Sequence, residues 1–178
     1  SDNGGLLGPT NNAPLRSGKG YAYEGGIRVP LLIKWPGVVK PGTTSAEPVT
    51  SVDYFPTIAE VTGLDLPEGR DIDGLSLAKH LSSQGKQKLA RDAIYWHFPH
   101  YRHNPGPYSI IREGDWKLIK FYGGPMELFD LKNDLGETKN LAAAMPEKVK
   151  VLEGRLLAHL KSVGAKMPKP NPAAKKLN

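Results

Sequence analysis

The sequence predicts a chain of mixed α and β structure in two parts, and three observations predict it. Residues 93–131 hold four short runs rich in Ile, Tyr, Trp and Phe, with Gly114-Asp115 and Gly123-Gly124-Pro125 between three of them. From Pro146 a single apolar face steps by three and four residues. Before a polar connector at 82–92, one continuous apolar run and two short helical patterns alternate with loops. The second part therefore reads as a small antiparallel sheet with a helix laid on it. Twenty Gly and sixteen Pro among 178 residues exclude a long bundle or coiled coil. No run approaches the roughly 18 apolar residues of a membrane span.

Residues 1–20 form a polar, glycine-rich loop, and Gly25-Gly26 punctuate the chain. Residues 27–35 read as a buried strand through Ile27, Val29, Leu31, Leu32 and Ile33, with Pro30 at an edge or bulge. Pro36-Gly37 and Pro41-Gly42 mark turns. A helix follows, with Ser51 as its cap, Asp53 at its positive end, Pro56 in the first turn and Gly63 as its stop. Residues 65–74 are a loop and 75–81 a second short helix. The strands are expected at 93–98, 108–112, 116–121 and 127–131. Val149, Leu152, Leu156, Leu160 and Val163 form the buried face of the last helix, and Gly164 ends it. The tail from Met167 shows no period and reads as uncoiled.

With no cysteine in the chain, disulfides, thiolate zinc sites and cysteine nucleophiles are excluded within it. The 24 Lys and Arg against 18 Asp and Glu give a net charge of +6. That balance suits either an anionic partner or an ordinary solvated face. The basic residues are scattered, with no arginine-rich or aromatic-interleaved stretch of a nucleic-acid module. The clearest run, Lys166, Lys169, Lys175 and Lys176, falls in the Pro-rich tail. The opening Ser1-Asp2-Asn3-Gly4-Gly5 reads like the middle of a longer chain, so a fragment is expected.

Three groups could carry chemistry. Asp2-Asn3 pairs a carboxylate with an amide oxygen on a glycine-softened loop, which suits Ca²⁺ or Mg²⁺, or equally an Asx turn. Lys19 stands between Gly18 and Gly20, where its ammonium can press against an anion or simply be solvated. It is not a phosphate-binding P-loop lysine, because Ala13 replaces the first glycine and Gly20 replaces the Ser or Thr. His97 and His100 flank Phe98-Pro99, with Tyr101 and His103 after them. They read as a substrate rim or as polar loop residues with no ligand.

Read in order, these pieces resemble the second half of the formylglycine-dependent sulfatases, the arylsulfatase type. The resemblance runs from Ser1-Asp2-Asn3-Gly4-Gly5 through Pro14-Leu15-Arg16-Ser17-Gly18-Lys19-Gly20 and Tyr23-Glu24-Gly25-Gly26-Ile27-Arg28-Val29-Pro30 to Trp35-Pro36-Gly37. It continues in Ser51-Val52-Asp53-Tyr54-Phe55-Pro56-Thr57, Asp73-Gly74-Leu75-Ser76-Leu77 and Gly114-Asp115-Trp116-Lys117-Leu118. Glu127-Leu128-Phe129-Asp130-Leu131 and Gly136-Glu137-Thr138-Lys139-Asn140-Leu141 complete it. Each motif alone is weak; the ordered set covers nearly the whole chain.

The resemblance implies an α/β fold of the alkaline-phosphatase-like type. Residues 1–90 would end the large catalytic domain, and 91–178 would be the C-terminal subdomain. It implies that Asp2 and Asn3 are two ligands of the active-site Ca²⁺ and that Lys19 contacts the sulfate. His97 and His100 would border the substrate pocket, and Arg28 would be structural. The parent would hydrolyse sulfate esters, on a sulfated small molecule or polysaccharide, in the periplasm or outside the cell, with no nucleic-acid or membrane partner.

The family's nucleophile is a formylglycine made within a Cys/Ser-x-Pro-x-Arg signature. No serine here has Pro two residues on and Arg four residues on. The formylglycine and the other metal ligands are thus expected in an N-terminal remainder needed for activity, and this chain alone is expected to be inactive. Two rival readings stay open at this point: a phosphatase or phosphodiesterase of the same superfold, and a non-catalytic polyanion-binding module.

Overall fold

The computed structural model describes residues 1–103 and 105–169, so Lys175 and Lys176 of the basic tail lie outside the described residues. The chain forms two compact units. One comprises Ser1, residues 3–29 and the described residues from 92 to 169; the other comprises Asp2 and residues 30–91. The chain passes from the second to the first after Arg91, at the end of the polar connector. Residues 3–29 pack with the later part of the chain rather than with 30–91.

In the first unit, β1 (Ile94–Phe98), β2 (Tyr108–Glu113), β3 (Trp116–Phe121) and β4 (Met126–Asp130) form an antiparallel meander in that order. Each expected strand is present, within one residue at either end. Ile110 pairs with Ile119, Ile111 with Leu118, and Leu118 with Leu128. Alternation along the strands therefore creates two apolar faces. Ile111, Leu118 and Leu128 meet Val149, Leu152, Leu156 and Leu160 of α4 (Pro146–Ser162). Ile110, Ile119, Phe121 and Phe129 face the other way and are covered by Ala22 and Tyr23. A sheet covered on both faces explains why its central residues are apolar on both sides of the pleat.

Pro146 opens α4 in its first turn, where the missing N–H costs nothing. Val163 does not belong to the buried face. It is the C-cap, 56% exposed, because the helix ends one residue earlier and Gly164 turns the chain at φ 60°.

In the second unit, α2 (Tyr54–Thr62) ends at Gly63 as expected. Gly63 has φ 70°, and Leu64 N–H returns to the Ala59 carbonyl. The capping residue at the other end is Thr50 rather than Ser51. A short 3₁₀ turn (Ser51–Asp53) precedes α2, and the Asp53 carboxylate accepts the Thr50 N–H at 2.8 Å. The next helix, α3 (Ala78–Ser82), starts three residues later than expected. Leu75 N–H is taken by Asp53 Oδ1 at 2.9 Å and Leu77 N–H by Thr57 Oγ1 at 2.8 Å, which ties the approach to α2.

The strand expected at 27–35 is not formed. Ile27 ends a four-residue helical turn, α1 (Glu24–Ile27), and the residues after it lie outside any strand, with Leu32 88% exposed. A strand needs a neighbour to take its N–H and C=O groups, and Pro30 has no N–H to give. Among the described residues no strand pairs with this segment. Among them, too, no helix is long and apolar enough to cross a membrane.

Candidate functional site

The glycines of the first 26 residues let the backbone fold back on itself. Gly4 N–H donates to the Gly26 carbonyl at 3.0 Å, Lys19 N–H to Gly5 at 3.0 Å, and Gly25 N–H to Arg16 at 2.8 Å. The Asn12 amide donates to the Gly5 and Ser17 carbonyls at 2.9 and 3.1 Å. A Cβ on Gly4 would stand 1.7 Å from the Gly25 oxygen, and one on Gly26 would stand 2.2 Å from the Tyr21 oxygen. Only glycine permits these approaches. The result is a hub that joins the Asn3-Gly4 segment to the Gly18-Lys19-Gly20 turn. Lys19 itself is exposed, with its backbone fixed and its ammonium offered to solvent.

The hub rests on buried charge. Glu24, Lys117 and Glu137 are each 2% exposed or less. Lys117 Nζ lies 3.0 Å from Glu24 Oε1 and 2.8 Å from Glu137 Oε1, while Glu137 Oε2 accepts the Glu24 N–H at 2.6 Å. Arg28 and Arg112 stand farther off, 3.6 and 3.9 Å from Glu24 Oε2. Burial pushes the Glu137 carboxyl above its ordinary range, and Lys117 offsets only part of that. Glu137 also holds φ 53°, a left-handed conformation that favours glycine. Arg16 Nη1 donates to the Glu137 carbonyl at 2.9 Å, and its guanidinium lies 3.7 Å from the centre of the Tyr23 ring. Burial first, then the nearby Glu127 carboxylate, pushes the Tyr23 hydroxyl up to about 12.

The histidine-rich segment divides. His97 is engaged at both ring nitrogens, Nδ1 with Ser109 Oγ at 2.7 Å and Nε2 with the Lys166 carbonyl at 2.9 Å. The exposed His100 sets its ring edge-on to Phe98, 5.0 Å between centres. His103 is the histidine that reaches the Lys19 loop. It stacks on Tyr21 with ring centres 4.5 Å apart, and a Cβ on Gly20 would meet its Nε2 at 2.5 Å. Sequence reasoning grouped His103 with the rim histidines but not with Lys19, and it gave no site role to Glu24, Lys117 or Glu137. For the three charged residues the signal was an acidic or basic residue inside an otherwise apolar strand or beside a glycine turn.

Asp2 and Asn3 offer hard oxygen donors, the right chemistry for Ca²⁺, but two residues fall short of about 6–8 ligands. Among the described residues no cluster of three or more His, Cys, Asp or Glu could hold a metal. The donor set therefore fits Ca²⁺ only as a part of a larger one.

Residues 17–165 match the family model described as N-sulphoglucosamine sulphohydrolase, C-terminal. A sulfatase of Formosa agariphila is 42% identical over 158 residues, covering 83% of this chain and 29% of the relative. The crystal structure of Ps i-CgsB superposes with a TM-score of 0.78 at 30% identity, over 94% of this chain and 36% of that one. The same protein has been solved with k-i-k-neocarrahexaose. A structure solved with its substrate D-glucosamine-2-N,6-O-disulfate gives a TM-score of 0.69 at 33% identity, over 83% and 31% of the two chains. The chain thus spans about a third of the length of the proteins it matches.

Proposed function

The chain belongs to the sulfatase family, and from that premise we propose that it supplies the sulfate-contacting lysine and part of the calcium site of an enzyme that hydrolyses sulfate esters of carbohydrates. The observation that carries this reading is the hub, which brings the Asn3 and Lys19 segments together by direct backbone bonds. Sulfate-ester cleavage builds negative charge on the transferring group and the leaving oxygen, so fixed positive charge lowers the barrier. Lys19, exposed on a turn between two glycines with its N–H bonded to the Gly5 carbonyl, holds an ammonium for that role. Asp2 and Asn3 would hold Ca²⁺ together with ligands from the rest of the enzyme, and the ion would supply further positive charge beside the anion. The formylglycine would lie outside this chain. The carbohydrate class rests on the ligands with which two similar proteins were solved.

The test mixes this chain with the remainder of the enzyme carrying formylglycine and follows a chromogenic aryl sulfate, with an aryl phosphate in parallel. Activity on sulfate that needs both parts is the expected result. Activity from this chain alone, or preference for phosphate, would overturn the reading. In the assembled enzyme, Lys19→Ala should lower turnover by about 100–1,000-fold, the usual loss when one preorganised charge-stabilising donor is removed. Its melting should barely move. Asp2→Ala should weaken Ca²⁺ binding, and activity should return in part with excess Ca²⁺. Calcium dependence identical to the wild type would remove Asp2 from the ligand set.

A further inference from the structure

We propose that Glu24, Lys117 and Glu137 are positioning residues, a buried charge triad that fixes the Lys19 turn by tying the glycine hub to the sheet. The proposal rests on the reading of Lys19 as the sulfate contact. None of the three can touch a substrate, since Lys117 and Glu137 are wholly buried and Glu24 is 2% exposed. Burying three charges is unfavourable, and well-packed apolar side chains would serve stability as well or better. What the charges add is direction. Lys117 extends from β3 on the face that carries Ile119 and Phe129, and it reaches Glu24 and Glu137 at once.

The connection from triad to turn is continuous. Glu24 is held twice, through its side chain by Lys117 and through its N–H by Glu137 Oε2. The next two residues grip both halves of the hub: Gly25 N–H binds Arg16, and the Gly26 carbonyl binds Gly4 N–H. Gly5, the neighbour of Gly4, receives the Lys19 N–H. A second attachment is independent of Glu24, since Arg16 Nη1 bonds the Glu137 carbonyl. Both attachments converge on Glu137, whose backbone is left-handed at φ 53°. A chain of contacts is not yet a coupling, so the test has to measure one.

Amide hydrogen exchange on this chain supplies the first readout. Glu24→Ala leaves Lys117 within 2.8 Å of Glu137 Oε1, so the sheet keeps an ion pair. The Gly4, Lys19 and Gly25 amides should exchange at least about tenfold faster, while those of Ile110, Ile119 and Leu128 change little. Glu24→Gln, which keeps the shape and an acceptor for Lys117, should restore most of the protection. Unchanged hub exchange in Glu24→Ala overturns the proposal. Loss of sheet protection together with hub protection in either variant also overturns it, because the triad would then be a general core element.

The second readout is a double-mutant cycle on aryl-sulfate turnover in the assembled enzyme. Glu24→Ala should lower kcat about tenfold when Lys19 is present and less than about twofold in the Lys19→Ala background. Equal losses in both backgrounds would show that Glu24 does not act through Lys19. If Lys19→Ala alone leaves turnover intact, the sulfate-contact reading fails, and the exchange measurement still decides whether the triad tethers the turn.

Discussion

The two compact units keep their shape by different means. The sheet unit closes its own core. Ile110, Ile111, Leu118, Ile119, Leu128 and Phe129 are sealed between α4 on one side and Ala22 and Tyr23 on the other. The 30–91 unit leaves much of its apolar surface in the open, including Leu32, Phe55, Ile58 and Leu64. Its buried apolar residues are few, among them Ala59, Leu77 and Ala78, and polar bonds add to them. Arg91 pairs with the buried Asp53, and His80 bonds Ser45 and the Gln87 carbonyl at 2.9 and 2.6 Å. The Gln84 amide donates to the Val38 carbonyl at 2.8 Å. One unit is stabilised chiefly by burial. The other buries less apolar surface and relies more on directional contacts.

The contrast can be broken most sharply at Arg91. Arg91→Ala leaves Asp53 buried without its cation, a loss of about 3–5 kcal/mol. Exchange protection should vanish from α2 and α3 while the sheet amides hold. Equal loss in both units would mean that their stabilities are not separate. In the sheet unit the matching probe is apolar. Leu156, fully buried on the sheet, should cost about 2–5 kcal/mol when cut to alanine, read by denaturant unfolding of the sheet amides.

Acid should act with opposite sign on two buried carboxyls, Asp53 in one unit and Glu137 in the other. Burial alone would raise the Asp53 carboxyl, but the bond from Arg91 and the Thr50 and Leu75 amides outweigh it and hold it below its ordinary 3.8. A depressed carboxyl contributes stability that is present above its unfolded value and is lost as pH falls through its folded one. The 30–91 unit should therefore loosen as pH drops below 3.8. Glu137 is raised above its ordinary 4.5, so its contribution has the opposite sign. It is present below that value and lost as pH rises through the folded one. Exchange of the Leu75 amide, bonded to Asp53, and of the Glu24 amide, bonded to Glu137, measured on either side of this range checks the difference; a parallel response would contradict it.

The smallest effect sharpens the comparison from the other side. Ile58 is 58% exposed, so Ile58→Ala should change stability by less than about 0.5 kcal/mol. A loss like that of Leu156 would show that the α2 surface is buried in solution.

The sequence by itself determined what is local. Strands between glycine turns, the α4 face from Val149 to Leu160 and the Gly63 stop all follow from residue order within a few positions. Periodicity and turn chemistry act over such distances. The ordered motifs also pointed to Asn3 and Lys19 without any knowledge of what holds them together. Tertiary structure alone decided the rest. Residues 27–35 have a strand's composition but, among the described residues, no strand to pair with, so composition alone did not make one. Residues 3–29 look like a loop, yet Ala22 and Tyr23 among them cover one face of a sheet that begins only at Ile94. Glu24, Lys117 and Glu137 read as ordinary charged residues in three separate motifs. Their meaning arises only where the fold removes water around them, because a charge kept from water must find its opposite, however far along the chain that partner lies.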